Sequence, residues 1–435
     1  MGGSAFASPG KSQPLYTPRM PKAVYEHVKA QCHSILREHY IYVASPIDGP
    51  AKADFGDIDI LVAWPKGDGS HVDGQNQLQA IAKLLGAVDV ISKGSHCASN
   101  LAIPWPEELD ASGNHEGAQP PKTKHIQVDV RVCQTLQTFE WTLLKNAHGD
   151  IWNMIGSTIR PYGLTIDDRA LWIRIPEVET FNKHKSKIFL TSDPSEVLDF
   201  LGLPIDDVWD RPFASLGDMY EYVARCPMFW VRAQDRRGDN ADGDETHAAP
   251  DPARKTTASS DAQRLKSNDR RRMSKRPAYR RWVDEFIPEC RRQGRFLEKR
   301  MSREQVTHAA LCRFHAGPAY GLRRKEALVE RQRELIFRDL IKGTIPPPAA
   351  GHYDAQATLF RSCQIKALKS IILQGDATTY GVDVGESFQN EDGFFDLARA
   401  ADFIAARKDE IGEAAMLVHR RRCGESMAVK AREAK

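Results

Sequence analysis

The stretch ADFGDIDILVAW, residues 53–64, sets two acids, Asp57 and Asp59, into a run of Ile, Leu and Val. A short apolar run closed by Pro65 and Gly67 reads as a buried strand. Side chains on a strand alternate, so Asp57 and Asp59 take one face while Ile58, Ile60 and Val62 take the other. Moving charge out of water is costly unless the charge is paired or holds a cation. Two carboxylates at this spacing suit a hard divalent ion, which prefers oxygen ligands. A second strand, HIQVDVRVCQ at 125–134, alternates Val128, Val130 and Val132 with Gln127, Asp129 and Arg131. If the two strands are neighbours, Asp129 joins the other two acids.

Upstream, residues 22–39 place Val24, Val28, Cys32, Ile35 and Leu36 at helical spacing, and YIYVAS at 40–45 reads as a short strand ending in Ala44-Ser45. Ser45 precedes Asp57 by twelve residues, across a loop punctuated by Pro and Gly. A hydroxyl and backbone N–H groups at such a strand end can reach phosphate oxygens. Strand, small residue and Ser, a spacer of this length, Asp-x-Asp on a strand and a later Asp on another strand together resemble the polymerase-beta-type nucleotidyltransferase superfamily. The resemblance covers roughly residues 22–135. It implies a mixed-sheet, palm-like α+β domain that moves a nucleoside monophosphate from an NTP to a hydroxyl. It also implies two metal ions, Mg²⁺ or Mn²⁺, held by Asp57, Asp59 and Asp129, with Ser45 on the triphosphate. The family's Gly before that Ser is Ala44 here. A Gly94-Ser95 pair in KGSHCASN comes after the Asp-x-Asp, so it is read as a loop beside the nucleotide, with Lys93 and Ser95 as phosphate contacts.

The rest of the chain frames this core. Its 435 residues, 41% hydrophobic, allow two or three domains with a real core. Residues 1–21 read as a disordered leader, without the apolar core of a secretory signal. The nucleotidyltransferase domain and its α/β extension are expected over 22–232. Within it, VDVIS is a strand, 104–122 an exposed loop, and TFEWTLLKNAHGDIWNMIGSTIR, 138–160, helical. Residues 233–274 are nearly free of large apolar side chains and read as a linker. From 275 to 435 the pattern is mostly helical.

No apolar run approaches the ~18 residues that suggest a membrane span. Eight scattered cysteines without a CxxC pair suit reduced thiols in an intracellular protein. Net charge is +3, but Arg254 to Arg300 carries sixteen Lys and Arg against six Asp and Glu. This basic segment, 264–300, is the expected nucleic-acid contact, with Tyr279, Trp282 and Phe296 interleaved for stacking. The cluster at 270–276 also resembles a nuclear import signal. A solvated helix face is the plain alternative. His308, Cys312 and His315 fall on one helical face but lack a fourth ligand for zinc, so they read as a half-buried face. Two other functional readings stay open: a nucleotidyltransferase fold that binds without turnover, and a transferase acting on a small-molecule or protein hydroxyl.

Overall fold

The computed structural model describes residues 3–7, 14–50, 52–67, 74–92, 97–109, 123–205, 211–233, 267–347 and 354–433. Lys93 and Ser95, and residues 234–266 of the expected linker, lie outside them. The chain divides into two compact units, one formed by 1–173 and 189–316, the other by 174–188 and 317–435. The helices up to Arg313 therefore group with the sheet-bearing unit, whereas the helical region was expected to separate at 275.

The first unit opens with β1 (Met20–Pro21) and α1 (Lys22–His39), then β2 (Tyr40–Ala44), β3 (Asp54–Phe55) and β4 (Asp57–Pro65). There follow α2 (Gly74–Leu84), β5 (Asp89–Ser92), β6 (Ala98–Pro104) and β7 (His125–Cys133). A five-stranded sheet runs in the order β2-β4-β7-β6-β5. The β4–β7 pair is parallel and its neighbours in the sheet are antiparallel. A parallel pair needs a crossover, supplied here by α2, β5 and β6.

The two faces of the sheet differ. Ile58, Ile60 and Val62 of β4 and Val128, Val130 and Val132 of β7 are buried in one cluster with Val24, Val28, Cys32 and Leu36 of α1 and Leu78 and Ile81 of α2. The period of two in the strands and of 3.6 in α1 place these residues on matching faces. On the opposite face, Leu61, Ala63 and Cys133 pack with Phe139. Phe139 belongs to α3 (Leu136–Asn146), which is capped by the Thr135 side chain accepting from Thr138 N–H. The carboxylate end of that face has no such apolar cluster among the described residues.

Several elements depart from the sequence reading. β6 is a fully integrated strand between β5 and β7, although its first residues lie in KGSHCASN, read as a loop, and no strand was expected there. Its Ser99 and Asn100 hide the alternation that would have announced it. The expected helix over 138–160 is two, α3 and α4 (Ile151–Ile159), because His148 and Gly149 both take positive φ, 53° and 62°. The described part of the leader is packed, with Phe6 and Met20 buried by their apolar side chains and Met20 paired to Phe55. Residues 267–274, expected as linker, belong to the helix Ser267–Lys275. Three short strands, β8 (Leu164–Ile166), β9 (Leu171–Arg174) and β10 (Lys187–Thr191), form a second sheet in the order β10-β9-β8. All eight cysteines are free, and burial pushes the Cys32 thiol up to about 12.

The second unit is helical. The helices Gly317–Leu335, Ala355–Gln374 and Leu397–Glu433 enclose a core that includes Ile336, Ala367, Leu368, Ile371, Ile404 and Ile411. Gln332 ties its first helix to the segment before the last, donating to the Phe395 carbonyl at 3.1 Å and accepting from its N–H at 2.9 Å. Among the described residues no helix is long and apolar enough to cross a membrane.

Because Ile60 is wholly buried between β4 and the helices, Ile60→Ala is expected to cost about 2–5 kcal/mol. Exposed Ile41 gives the control, as Ile41→Ala should change stability little. Urea unfolding of the two variants checks the difference. Equal losses would contradict this packing.

Candidate active site

The strand register relates the three acids. Asp59 is the direct partner of Asp129 across the parallel β4–β7 pair, and Asp57 pairs with Gln127. Neighbouring strands lie about 4.8 Å apart, and side chains two residues apart on one strand share a face. All three carboxylates thus stand on the face away from α1 and α2. Asp57 and Asp129 are half-buried and Asp59 is exposed. Among the described residues, no three His, Cys, Asp or Glu side chains are gathered closely enough to form an ion site by themselves. The register rather than a closed cage is what joins these acids.

Two residues that the sequence reading passed over complete the row. Asn100 on β6 is the register partner of Asp129. It is 6% exposed, and its Oδ1 is buried without a hydrogen-bond partner. An unpaired buried acceptor calls for a donor. Gln127, also buried, donates from Nε2 to Asp129 Oδ1 at 2.8 Å and fixes that carboxylate. All-oxygen donors of this kind fit a hard divalent cation, which accepts carboxylates and amide carbonyls together with water. The signal available in the sequence was a polar Ser-Asn pair inside LAIP-flanked apolar residues.

The adjoining edge carries both signs of charge. Tyr25 of α1 donates from its hydroxyl to Asp48 Oδ2 at 2.8 Å. Lys52 donates to Asp48 Oδ1 at 3.0 Å, and Lys29 lies 3.9 Å from Asp48 Oδ2. The Tyr25 ring stacks on Phe55 at 3.8 Å, with the Lys29 ammonium 4.5 Å from the Tyr25 centroid and that of Lys52 4.5 Å from the Phe55 centroid. Burial foremost, then Asp48, with Asp59 and Asp57 adding, pushes the Tyr25 phenol up. The loop bearing Asp48 is held in place, because Ile47 O accepts from His148 N–H at 2.7 Å.

Ser45 follows β2 and turns toward α1, sharing a 2.9 Å hydrogen bond with His33 Nε2. Ala44, which stands where the resembled family has glycine, packs against the Leu61–Phe139 cluster on the carboxylate face. The structure therefore brings Asp57, Asp59 and Asp129 to one face and points the Ser45 hydroxyl toward α1.

The basic segment divides in two. Tyr279 and Trp282 are buried, and Trp282 stacks on Phe286 at 4.8 Å while Phe229 approaches Phe296 at 5.1 Å. Their role is packing, so the expected stacking on bases is corrected for these two rings: a wholly buried ring offers no face to a base. Arg270, Arg271, Lys275, Arg276 and Arg280 stay exposed. Arg276 anchors this segment to the sheet-bearing unit through Asp150 at 2.8 Å. His308 and Cys312 are 3.7 Å apart, but the helix ends at Arg313 and His315 has a positive φ of 52°, so the third member leaves the helical face.

No protein-family model matches the chain, and no curated protein sequence matches it.

His33 gives a test of the Ser45 edge. Burial, aided by Arg37 and Lys29, holds its pKa down to about 4. As pH falls, the unfolded chain protonates this group first, near 6.5, so its stability contribution is complete above that value and declines toward pH 4. In urea unfolding at pH 7 and pH 5, the wild-type midpoint should fall more than that of His33→Gln. Equal falls would show that His33 is not held neutral.

Proposed function

We propose that the chain is a metal-dependent nucleotidyltransferase that moves a nucleoside monophosphate from an NTP to an acceptor hydroxyl. The observation that supports this reading is the parallel β4–β7 register, which pairs Asp59 with Asp129 and sets Asp57 on the same face. Asp57, Asp59 and Asp129 would hold the metal ions, Mg²⁺ or Mn²⁺. Such ions, when bound, lower the pKa of the attacking hydroxyl and neutralise the leaving pyrophosphate.

The chain's own residues do the positioning. Asn100 offers its buried Oδ1 to a donor in the same row. Lys29 and Lys52 bring ammonium groups to the adjoining edge, where a triphosphate needs countercharge. In the transfer, the acceptor oxygen bonds to the α-phosphorus, the bond from that phosphorus to the α–β bridging oxygen breaks, and the hydroxyl proton passes to water. Alignment and charge neutralisation, rather than covalent chemistry, supply the rate. An RNA or DNA 3′ end is the acceptor class favoured by the exposed cations at 270–280.

A second reading is a binding protein of the same fold without turnover. It draws on Ala44 packed in place of glycine and on the Ser45 hydroxyl engaged by His33.

Incubation with each labelled NTP, Mg²⁺ or Mn²⁺, and short RNA and DNA acceptors separates the two. Labelled, extended acceptor is expected from the wild type. Asp57→Ala and Asp59→Ala should each lower transfer at least about 10²–10³-fold with an unchanged circular dichroism spectrum. An unchanged rate in either variant contradicts the site. NTP binding without transfer to any acceptor favours the binding protein.

A further inference from the structure

The residues that precede α1 reach the carboxylate face. The Ala5 N–H donates to Gln127 Oε1 at 3.0 Å, and Gln127 Nε2 donates to Asp129 Oδ1 at 2.8 Å. A backbone N–H can only donate, so it must meet the amide oxygen. The amide nitrogen is then turned toward the carboxylate. The Ala5 N–H and the acceptor-only Asp129 carboxylate thus require the same orientation of the Gln127 amide, and the backbone at residue 5 holds its oxygen end in place.

The segment is seated by more than this bond. Phe6 is 3% exposed, Thr17 Oγ1 donates to Gly3 O at 2.8 Å, and Leu15 N–H donates to Phe6 O at 3.0 Å. His125 N–H donates to Tyr16 O at 2.9 Å, fastening the segment at Tyr16 to the start of β7. Gly3 lies directly on the residue before Asp57. A Cβ there would fall 2.1 Å from the Gly56 carbonyl oxygen, and its φ of +84° also disfavours a side chain.

We propose that residues 3–7 are a strap that docks on Gly56 and, through Gln127 as a positioning residue, sets the Asp129 carboxylate for metal binding. This rests on the nucleotidyltransferase reading. The strap couples its own docking to the orientation of Gln127, and so to the geometry of one ligand. Partners that orient a metal-ligating side chain typically contribute 10–100-fold to metal affinity.

The test is Mn²⁺ titration of the full chain, followed by electron paramagnetic resonance, for wild type, Gly3→Val, Gln127→Ala and the double variant. Each single substitution should weaken Mn²⁺ binding about tenfold and alter the spectrum of the bound ion. The double variant should be no weaker than the weaker single one, because both changes break one relay. Wild-type affinity in Gly3→Val, or penalties that multiply, overturns the proposal. Hydrogen exchange of the Ala5 amide judges the docking apart from the metal. Protection in wild type that is lost in both single variants supports the strap, and fast exchange in wild type overturns it. A protected Ala5 amide in a wild type that takes up no Mn²⁺ overturns both the nucleotidyltransferase reading and the positioning role, and leaves only the docking.

Discussion

The parallel pairing of β4 with β7 is the constraint from which the rest of the first unit follows. Six β-branched side chains on one face, Ile58, Ile60, Val62, Val128, Val130 and Val132, must be covered, and α1 and α2 cover them. Alternation then commits Asp57, Asp59 and Asp129 to the other face, and a one-residue slip would turn the acids of the slipped strand, Asp57 and Asp59 for β4 or Asp129 for β7, under the helices. The cost of burying charge therefore acts on the register in the same direction as the gain from burying the valines. The apolar half of the carboxylate face is closed by α3, and the acids occupy the half it leaves.

Residues with a plain period were legible in advance. α1 was expected over 22–39 and is found at Lys22–His39, and β2, β4, β5 and β7 fall close to their expected places. β6 was not legible because Ser99 and Asn100 are polar yet buried, which no alternation rule anticipates. The α3–α4 break lay hidden because His148 takes a positive φ that its residue type does not announce. The packing of Phe6 was obscured by a small, polar neighbourhood in which one ring does the anchoring.

The same division holds for the candidate site. Asp57 and Asp59 could be placed on one face from spacing alone, whereas Asp129 joins them only through the β4–β7 pairing that the fold supplies. Asn100 and Gln127 come from separate strands, and only the fold sets them beside Asp129, as only the fold joins Lys29 and Lys52 to Asp48. The aromatic residues of the basic segment illustrate the reverse case. Tyr279 and Trp282 looked available between cations, but helical periodicity turns them inward and leaves the arginines outside.

The proposed nucleotidyl transfer requires these acids to act together on a divalent ion. Diffraction from crystals soaked in Mn²⁺, recorded at the manganese absorption edge, tests that most directly. Anomalous density between Asp57, Asp59 and Asp129 is the expected result. Manganese bound elsewhere, with none beside these three carboxylates, would contradict the account.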